Sequence, residues 1–239
     1  MKYAVLNVLI GLSAIALGVF AGLLVDEWCY LICWPGINFL LLGAAYAGRW
    51  PGLFGKRQDG SLPWWSRVFF LPLHLLTLGC WHLVRLVSRE AAFGVVNERL
   101  IVGRRLLAKE LPPGALTVLD LTAEFAEPRG IISAAGYRSF PILDTAAAEP
   151  ARLRRLLEEV LDDKPLYIHC AEGHGRTGMV AAAWLISRGY AKDVPAALAL
   201  LQAVRPRIRL KKAQQRVLET VFATATSVPA ESPGFVRSD

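Results

Sequence analysis

Cys170 and Arg176 stand six positions apart, with Gly173 and Gly175 between them and Gly178 just beyond. A thiol is a strong nucleophile only as its thiolate, and a guanidinium can grip two oxygens of one phosphate in a plane, which Lys cannot do. The flanking residues indicate how such groups would converge. Ahead of Cys170 the apolar run 166–168, opened by Pro165, reads as a buried strand. After Arg176 an Ala-rich apolar run to residue 186 reads as a helix. Strand, glycine-punctuated loop and helix N-terminus together aim backbone N–H groups and the positive end of a helix dipole at one point. That is an anion site, and a phosphate fits it. Cys170 lies at its base, where the same field favours the thiolate. Thr177 sets a hydroxyl beside the sulfur, able to stabilise the thiolate when it leaves. A structural cysteine beside a Gly-rich turn would need neither the arginine nor three glycines.

The elements that must position this loop lie in residues 90–224, whose composition is that of an α/β domain. Residues 99–103, 116–121 and 137–143 read as strands rich in Leu, Ile and Val. Residues 150–163 read as an amphipathic helix with Pro150 in its first turn and Leu153, Leu156, Leu157, Val160 and Leu161 on one face. After the Cys170 strand come a helix over 176–188 stopped by Gly189, one capped by Asp193 and reaching about residue 204, and a last one over 211–223. Strands separated by helices imply a mainly parallel sheet flanked by helices on both sides. Residues 225–239, with two Pro, Ser and Gly, have the composition of a disordered tail.

Residues 1–89 are different in kind. Residues 3–25 carry no charge and are long enough to cross a bilayer. The apolar core is too long for a signal peptide, and a second apolar run, 28–48, follows after the acidic turn Asp26-Glu27. Pro35-Gly36 is expected to kink that second span. Lys2 precedes the pair and Arg49, Lys56 and Arg57 follow it, so the charge rule puts both ends of a transmembrane helical hairpin in the cytoplasm. The segment 64–88 is apolar too and long enough to be a third membrane helix, but Arg67, His74, Thr77, His82, Arg85, Ser88 and Arg89 share one helical face, which suits a helix lying in the interface. The expectation is a multi-pass membrane anchor with the catalytic domain on the cytoplasmic side and the lipid bilayer as a partner.

Charge and cysteine usage agree with this. Residues 1–89 hold seven basic and three acidic side chains, and residues 90–239 hold twenty and seventeen, giving +4 and +3 of the total +7. Neither excess argues for nucleic acid, whereas positive charge beside apolar segments suits an anionic membrane surface. The four cysteines, Cys29, Cys33, Cys80 and Cys170, form no disulfide framework, and a catalytic thiolate suits a reducing compartment.

His169-Cys170-Ala171-Glu172-Gly173-His174-Gly175-Arg176-Thr177-Gly178 resembles the HCxxGxxR[ST]G signature of cysteine-dependent phosphatases, especially the dual-specificity branch. The resemblance spans about residues 95–222 and does not extend to 1–89. It implies a dual-specificity-phosphatase-like fold and a phosphocysteine intermediate formed without metal or cofactor. Residues 171–175 (Ala171, Glu172, Gly173, His174, Gly175) would hold phosphate through backbone N–H groups, with the Glu172 and His174 side chains pointing outward. The general acid would follow the strand before the long helix, where Phe140-Pro141-Ile142-Leu143-Asp144-Thr145 matches the pattern; Asp144 is the candidate, with Asp120 and Glu124 as rivals. The stretch 204–209 is similar to the Arg-Pro turn near the family's site entrance, making Arg205, Arg207 and Arg209 candidate rim cations. The function implied is a membrane-anchored hydrolase of phosphoric monoesters, on a phosphoprotein or a phospholipid. The alternative is an inactive membrane adaptor that binds phosphate.

Overall fold

Five strands form one sheet in the order β1-β2-β5-β3-β4. They are β1 (Phe93–Asn97), β2 (Leu100–Arg104), β3 (Thr117–Thr122), β4 (Gly136–Ile142) and β5 (Leu166–Cys170) in a computed structural model that describes residues 2–112, 114, 116–134, 136–159 and 164–223. Strands β2, β5, β3 and β4 run parallel, as expected. β1 was not legible in advance. It pairs antiparallel with β2 through a turn in which the Asn97 side chain accepts from the Arg99 N–H at 2.9 Å, and as a half-buried edge strand it lacks a clean apolar period. β5 lies at the centre with all five residues buried, so Cys170 emerges at the carboxyl end of the middle strand, where open α/β sheets place ligands.

One face of the sheet is covered by α6 (Pro150–Glu159), α7 (Gly175–Ser187), α8 (Val194–Val204) and α9 (Lys212–Ala223), whose Leu153, Val180, Leu201 and Leu218 pack with Leu119, Leu121 and Ile168. The other face carries only the short α5 (Arg129–Ala134) and loops, with Leu106 and Ile131 over Val118 and Tyr167. The end expected for α6, including Val160 and Leu161, and the tail 225–239 lie outside the described residues.

The N-terminal segment begins with α1 (Lys2–Leu24) and α2 (Cys33–Gly48), joined by a 3-10 turn over Glu27–Ile32 that the Asp26 side chain caps at 2.9 Å. Both helical stretches are long and apolar enough to cross a membrane by length and composition. They pack through small residues at seven-residue intervals: Ala4 and Gly11 on α1 face Gly43 and Gly36 on α2, and Gly18 faces Cys33. A Cβ at Gly11 would lie 2.7 Å from the Gly36 carbonyl, so glycine sets the closeness of the pair. Pro35 sits in the first turn of α2 instead of kinking it, because an N–H there has no acceptor to lose.

The apolar segment that follows splits into α3 (Trp64–Phe69) and α4 (Leu71–Val87), with the break at Phe70 ahead of Pro72. Part of its polar stripe packs against the rest of the protein, while Arg67, His82 and Arg89 are exposed. Arg85 donates to Glu110 at 2.8 Å and His74 packs on the Phe54 ring, while Leu75, Leu76, Leu83, Leu86 and Val87 are exposed on the other side. Residues 1–89 and the α/β domain also share a hydrophobic cluster, in which Ala45, Phe54, Phe70 and Leu73 meet Ala123 and Leu143. Truncating Leu73 to Ala would cost about 2–5 kcal/mol. The composition changes at residue 90, but the packing does not stop there.

Candidate active site

Cys170 ends β5 and is buried, with its sulfur 3.3 Å from the Gly173 N–H. The loop turns its carbonyls away from the sulfur. Ala171 O accepts from the Arg105 N–H and the Trp81 indole, both at 3.2 Å; Glu172 O and Gly173 O accept from the Arg205 guanidinium at 3.0 and 3.2 Å. Because a trans peptide points its C=O and N–H in opposite directions, the N–H groups of Glu172, Gly173 and His174 face the other way, toward the anion position. Gly173 has φ +76°, and a Cβ on it would lie 2.3 Å from the Gly103 carbonyl, so only glycine fits there. Gly175 opens α7 beside the cavity. The Thr177 hydroxyl is fully buried and has no partner among the described residues.

Arg176 is 2% exposed, and Glu124 holds its guanidinium bidentately: Nη1–Oε2 is 3.0 Å and Nη2–Oε1 is 2.8 Å. Nη1 also donates to the Ile142 carbonyl at 2.9 Å, and Nε is left unpartnered. Burial opposes the charge, but Glu124, then Cys170 and Asp144, offset it and raise the Arg176 pKa. Glu124, a rival for the proton-donor role on sequence, is therefore occupied with the arginine. Asp144 has Oδ1 3.1 Å from Arg176 Nη2, with 64% of its side chain exposed at the cavity. The next residue, Thr145, has φ +60°, a strained conformation that re-aims the chain just after the carboxylate.

Arg205 corrects an expectation. It is 1% exposed and lies beneath the loop, bonded to Glu172 O, Gly173 O, Ala91 O and Glu90, so it is a strut and not a rim cation. Arg207 and Arg209 are exposed, and only Arg209 lines the catalytic cavity; Arg207 lines a small neighbouring one. Glu172 and His174 both line the catalytic cavity, and their side chains pair with each other at 3.4 Å. His174 also meets Glu90 at 2.7 Å. Burial disfavours the His174 charge, yet Glu172 and Glu90 raise its pKa; the His174 contact lowers that of Glu172.

Behind the loop lies a second polar cluster. Asp120 is fully buried and takes hydrogen bonds from Lys56, the Tyr137 hydroxyl at 2.8 Å and Thr122. Lys56 also donates to the carbonyl and hydroxyl of Thr122 at 2.8 and 2.9 Å. His169, one residue before the nucleophile, has Nε2 4.0 Å from Asp120 and 3.8 Å from Glu127. Burial pushes His169 down to about 4, and burial followed by the Asp120 charge pushes Glu127 up to about 8. Asp120, Glu127 and His169 offer ligand atoms within 4.8 Å of one another. Lys56 and Arg105, 3.5 Å from Glu127, already set two positive charges against the two carboxylates, which makes this an ion-pair network and a poor cation site. Asp120 does not line the cavity, which removes it as a proton donor.

The catalytic cavity has a volume of about 410 Å³. Cys170, Arg176, Asp144 and loop residues line it together with Leu42, Tyr46, Leu73 and Cys80 from the N-terminal helices. Two more groups unmarked by any motif belong to it. Gln214 on α9 is buried, donates to Ala146 O at 2.9 Å and accepts from the Lys211 N–H at 3.0 Å. Tyr46 donates its hydroxyl to the Asp144 carbonyl at 2.8 Å. Neither is marked as a site residue by its neighbours in sequence, since Ala146 and Asp144 are far away in the chain.

Several solved structures are similar to the α/β domain. Tk-PTP in its active form is 27% identical over 54% of this chain and 95% of its own, with a TM-score of 0.46. A mouse putative dual specificity phosphatase complexed with zinc tungstate is 20% identical over 58% and 95%, with a TM-score of 0.46. PTPMT1 in complex with PI(5)P is 16% identical over 57% and 98%, with a TM-score of 0.47. No curated protein matches the chain. The model of the family described as PTP-SAK, Swiss Army Knife protein, DSP-PTPase phosphatase domain, matches residues 107–228, a stretch that contains β3 to β5, Asp144 and the whole Cys170–Arg176 loop. With half the chain under that match, the protein belongs to this family of dual-specificity-type, cysteine-dependent phosphatases.

Proposed function

We propose that this chain is an active, membrane-anchored phosphoric monoester hydrolase that works through a phosphocysteine intermediate, on a phosphoprotein or a phospholipid. The Cys170 thiolate attacks phosphorus, and the P–O bond to the leaving alcohol breaks as Asp144 gives that oxygen a proton. Water then attacks the phosphocysteine, Asp144 takes its proton back, and phosphate leaves with the thiolate restored beside the Thr177 hydroxyl. Arg176 and the loop N–H groups hold the three equatorial oxygens throughout. The observation that carries this reading is the aim of the loop: a buried sulfur 3.3 Å from a backbone N–H, beside a guanidinium that Glu124 pins in place with Nε free.

The anchor reading rests on α1 and α2, which are apolar and mostly exposed, and on the sign of the flanking charges. It places both ends of the hairpin and the catalytic domain in the cytoplasm, with the apolar side of α4 against the bilayer. The test of activity is turnover of an aryl phosphate by the full chain in nanodiscs. Hydrolysis should persist in EDTA, stop with vanadate and vanish in Cys170→Ser. Turnover undiminished by that substitution would overturn the assignment, and no turnover by the wild type would favour a phosphate-binding adaptor. A reporter fused after Asp239 should be active on the cytoplasmic side.

A further inference from the structure

Part of the wall of the catalytic cavity is built by the helices that carry the apolar surface. On α4 the lining residues Leu73, Thr77, Cys80 and Val84 recur every three or four positions, which makes one continuous helical face. On α2 Leu42 and Tyr46 lie one turn apart and face the same space. The result is a cleft between α2 and α4 with the phosphate loop at its polar end. Thr77 spends its hydroxyl on the His74 carbonyl at 3.1 Å, so little polar hydrogen-bonding capacity comes from this wall. Cys80 and Val84 are exposed, and the cleft continues there into the uncovered apolar side of α4, with Leu76 and Leu83.

Level matters as much as lining. Tyr46 and the cavity stand at the carboxyl end of α2, next to Arg49; Tyr3, at the start of α1, is at the same end, its ring 5.9 Å from that of Tyr46. Lys211 donates to the Tyr3 hydroxyl at 2.7 Å and, with Arg209, lines the cavity. In a hairpin that crosses a bilayer this end sits where lipid phosphates and interfacial aromatics lie. Leu42 sits about 6 Å deeper, toward the hydrocarbon.

We infer that the substrate is a phospholipid bearing a terminal phosphate monoester, taken sideways from the bilayer, with its phosphate on the Cys170 loop and the start of an acyl chain in the cleft between α2 and α4. The inference rests on the phosphatase reading above and narrows it. A phosphopeptide has polar backbone on both sides of its phosphate and would leave those groups unpaired against Leu42, Leu73 and Val84, at the cost of burying unsatisfied amides. A lipid monoester places carbon there instead. The cavity volume of about 410 Å³ is in the range of small-molecule clefts and suffices for a headgroup and the first part of a chain.

The test uses the full chain in nanodiscs with four probes: dioleoyl phosphatidic acid, dihexanoyl phosphatidic acid, glycerol 3-phosphate and a phosphotyrosine peptide. Turnover should rise from glycerol 3-phosphate through the short lipid, by up to about fourfold for each methylene held in the cleft. Cys80→Trp, which fills the cleft, should lower the ratio of lipid to aryl phosphate turnover about tenfold or more. A phosphotyrosine peptide turned over faster than either lipid would overturn the inference, as would an unchanged ratio in a folded Cys80→Trp. Should that variant fail to fold, the chain-length series on the wild type decides alone. A readout independent of activity separates this inference from the reading beneath it. In Cys170→Ser, phosphatidic acid with a photoreactive group near the start of its acyl chain should crosslink within residues 73–84. Crosslinking there without any wild-type aryl phosphate turnover would sink the enzyme and keep the lipid site; turnover without crosslinking there would do the reverse.

Discussion

Two acids four residues apart at the end of β3 have opposite fates. Glu124 faces the cavity and clamps Arg176; Asp120 faces away from it and holds Lys56. Both pairs are buried, both join a carboxylate to a cation far away in sequence, and both flank β5, where Asp120 lies in register with His169. The first pair leaves a donor of its arginine free for a ligand. The second is closed on itself: Lys56 donates three times, and Asp120 also takes Tyr137 and Thr122. An open pair supports chemistry and a closed one supports architecture. Burial alone does not separate them.

The largest effects should come from the open side. Arg176→Lys should lose about 10²–10³ in kcat on an aryl phosphate, because one ammonium cannot satisfy Glu124 and two phosphate oxygens together. Glu124→Gln keeps the shape but removes the charge that pins the guanidinium; it should lose about 10²-fold in kcat/KM with a smaller change in melting temperature. If Glu124→Gln melts like a core variant and keeps its rate, the contrast between the two acids fails.

The closed side should show the reverse. Lys56→Met leaves Asp120 charged and unpaired in the interior and should cost about 3–5 kcal/mol in denaturant unfolding. The double variant Lys56→Met with Asp120→Asn should regain much of that loss, since the uncompensated charge is gone. Additive losses in the cycle would mean that Lys56 acts through packing and not through the pair.

Asp144→Asn sharpens the picture at the cavity. Turnover of an alkyl phosphate, whose leaving group needs a proton, should fall about 10²-fold or more, and that of a nitrophenyl phosphate far less. Equal losses would take the proton-donor role away from Asp144.

The smallest effect is in pH. Free His169 would titrate near 6.5 and in the fold does so near 4, so between those values folding releases its proton. Free Glu127 would titrate near 4.5 and in the fold does so near 8, so between those values folding takes a proton up. From pH 4.5 to 6.5 the two offset each other and stability should be flat. From 6.5 to 8 only the Glu127 contribution is left, and stability should fall by up to about 1.4 kcal/mol per unit. Glu127→Gln should abolish that decline in melts taken across this range.

What the sequence disclosed follows from how local each feature is. Cys170, Arg176 and the glycines between them form one contiguous turn, and the buried strand before it and apolar helix after it each have their own period. The place of Asp144 at the cavity was legible for the same reason, as part of a short run after a strand. Glu124 and Asp120 were not distinguishable, because their roles depend on which cation arrives, from Arg176 in one case and Lys56 in the other. Arg205 was misread inside a basic run; its guanidinium is drawn under the loop by carbonyls and a carboxylate far away in the chain, while Arg207 and Arg209 are exposed. The α2 and α4 part of the cavity lining was hidden because Leu42, Leu73 and Cys80 look like any residues of an apolar helix until the chain folds back.

The hydrogen bond from Tyr46 to the Asp144 backbone and the shared cluster around Leu73 and Leu143 bear on how such a protein can change over generations. An anchor joined only by a linker can be swapped for another, and the enzyme drifts independently of it. Here a substitution in α2 or α4 alters the shape of the active site, and one after β4 alters the seat of those helices. The two parts must vary together and be inherited as a unit. A lineage that lost residues 1–89 would have to rebuild the wall made by Leu42, Tyr46, Leu73, Thr77, Cys80 and Val84 before its enzyme could work again.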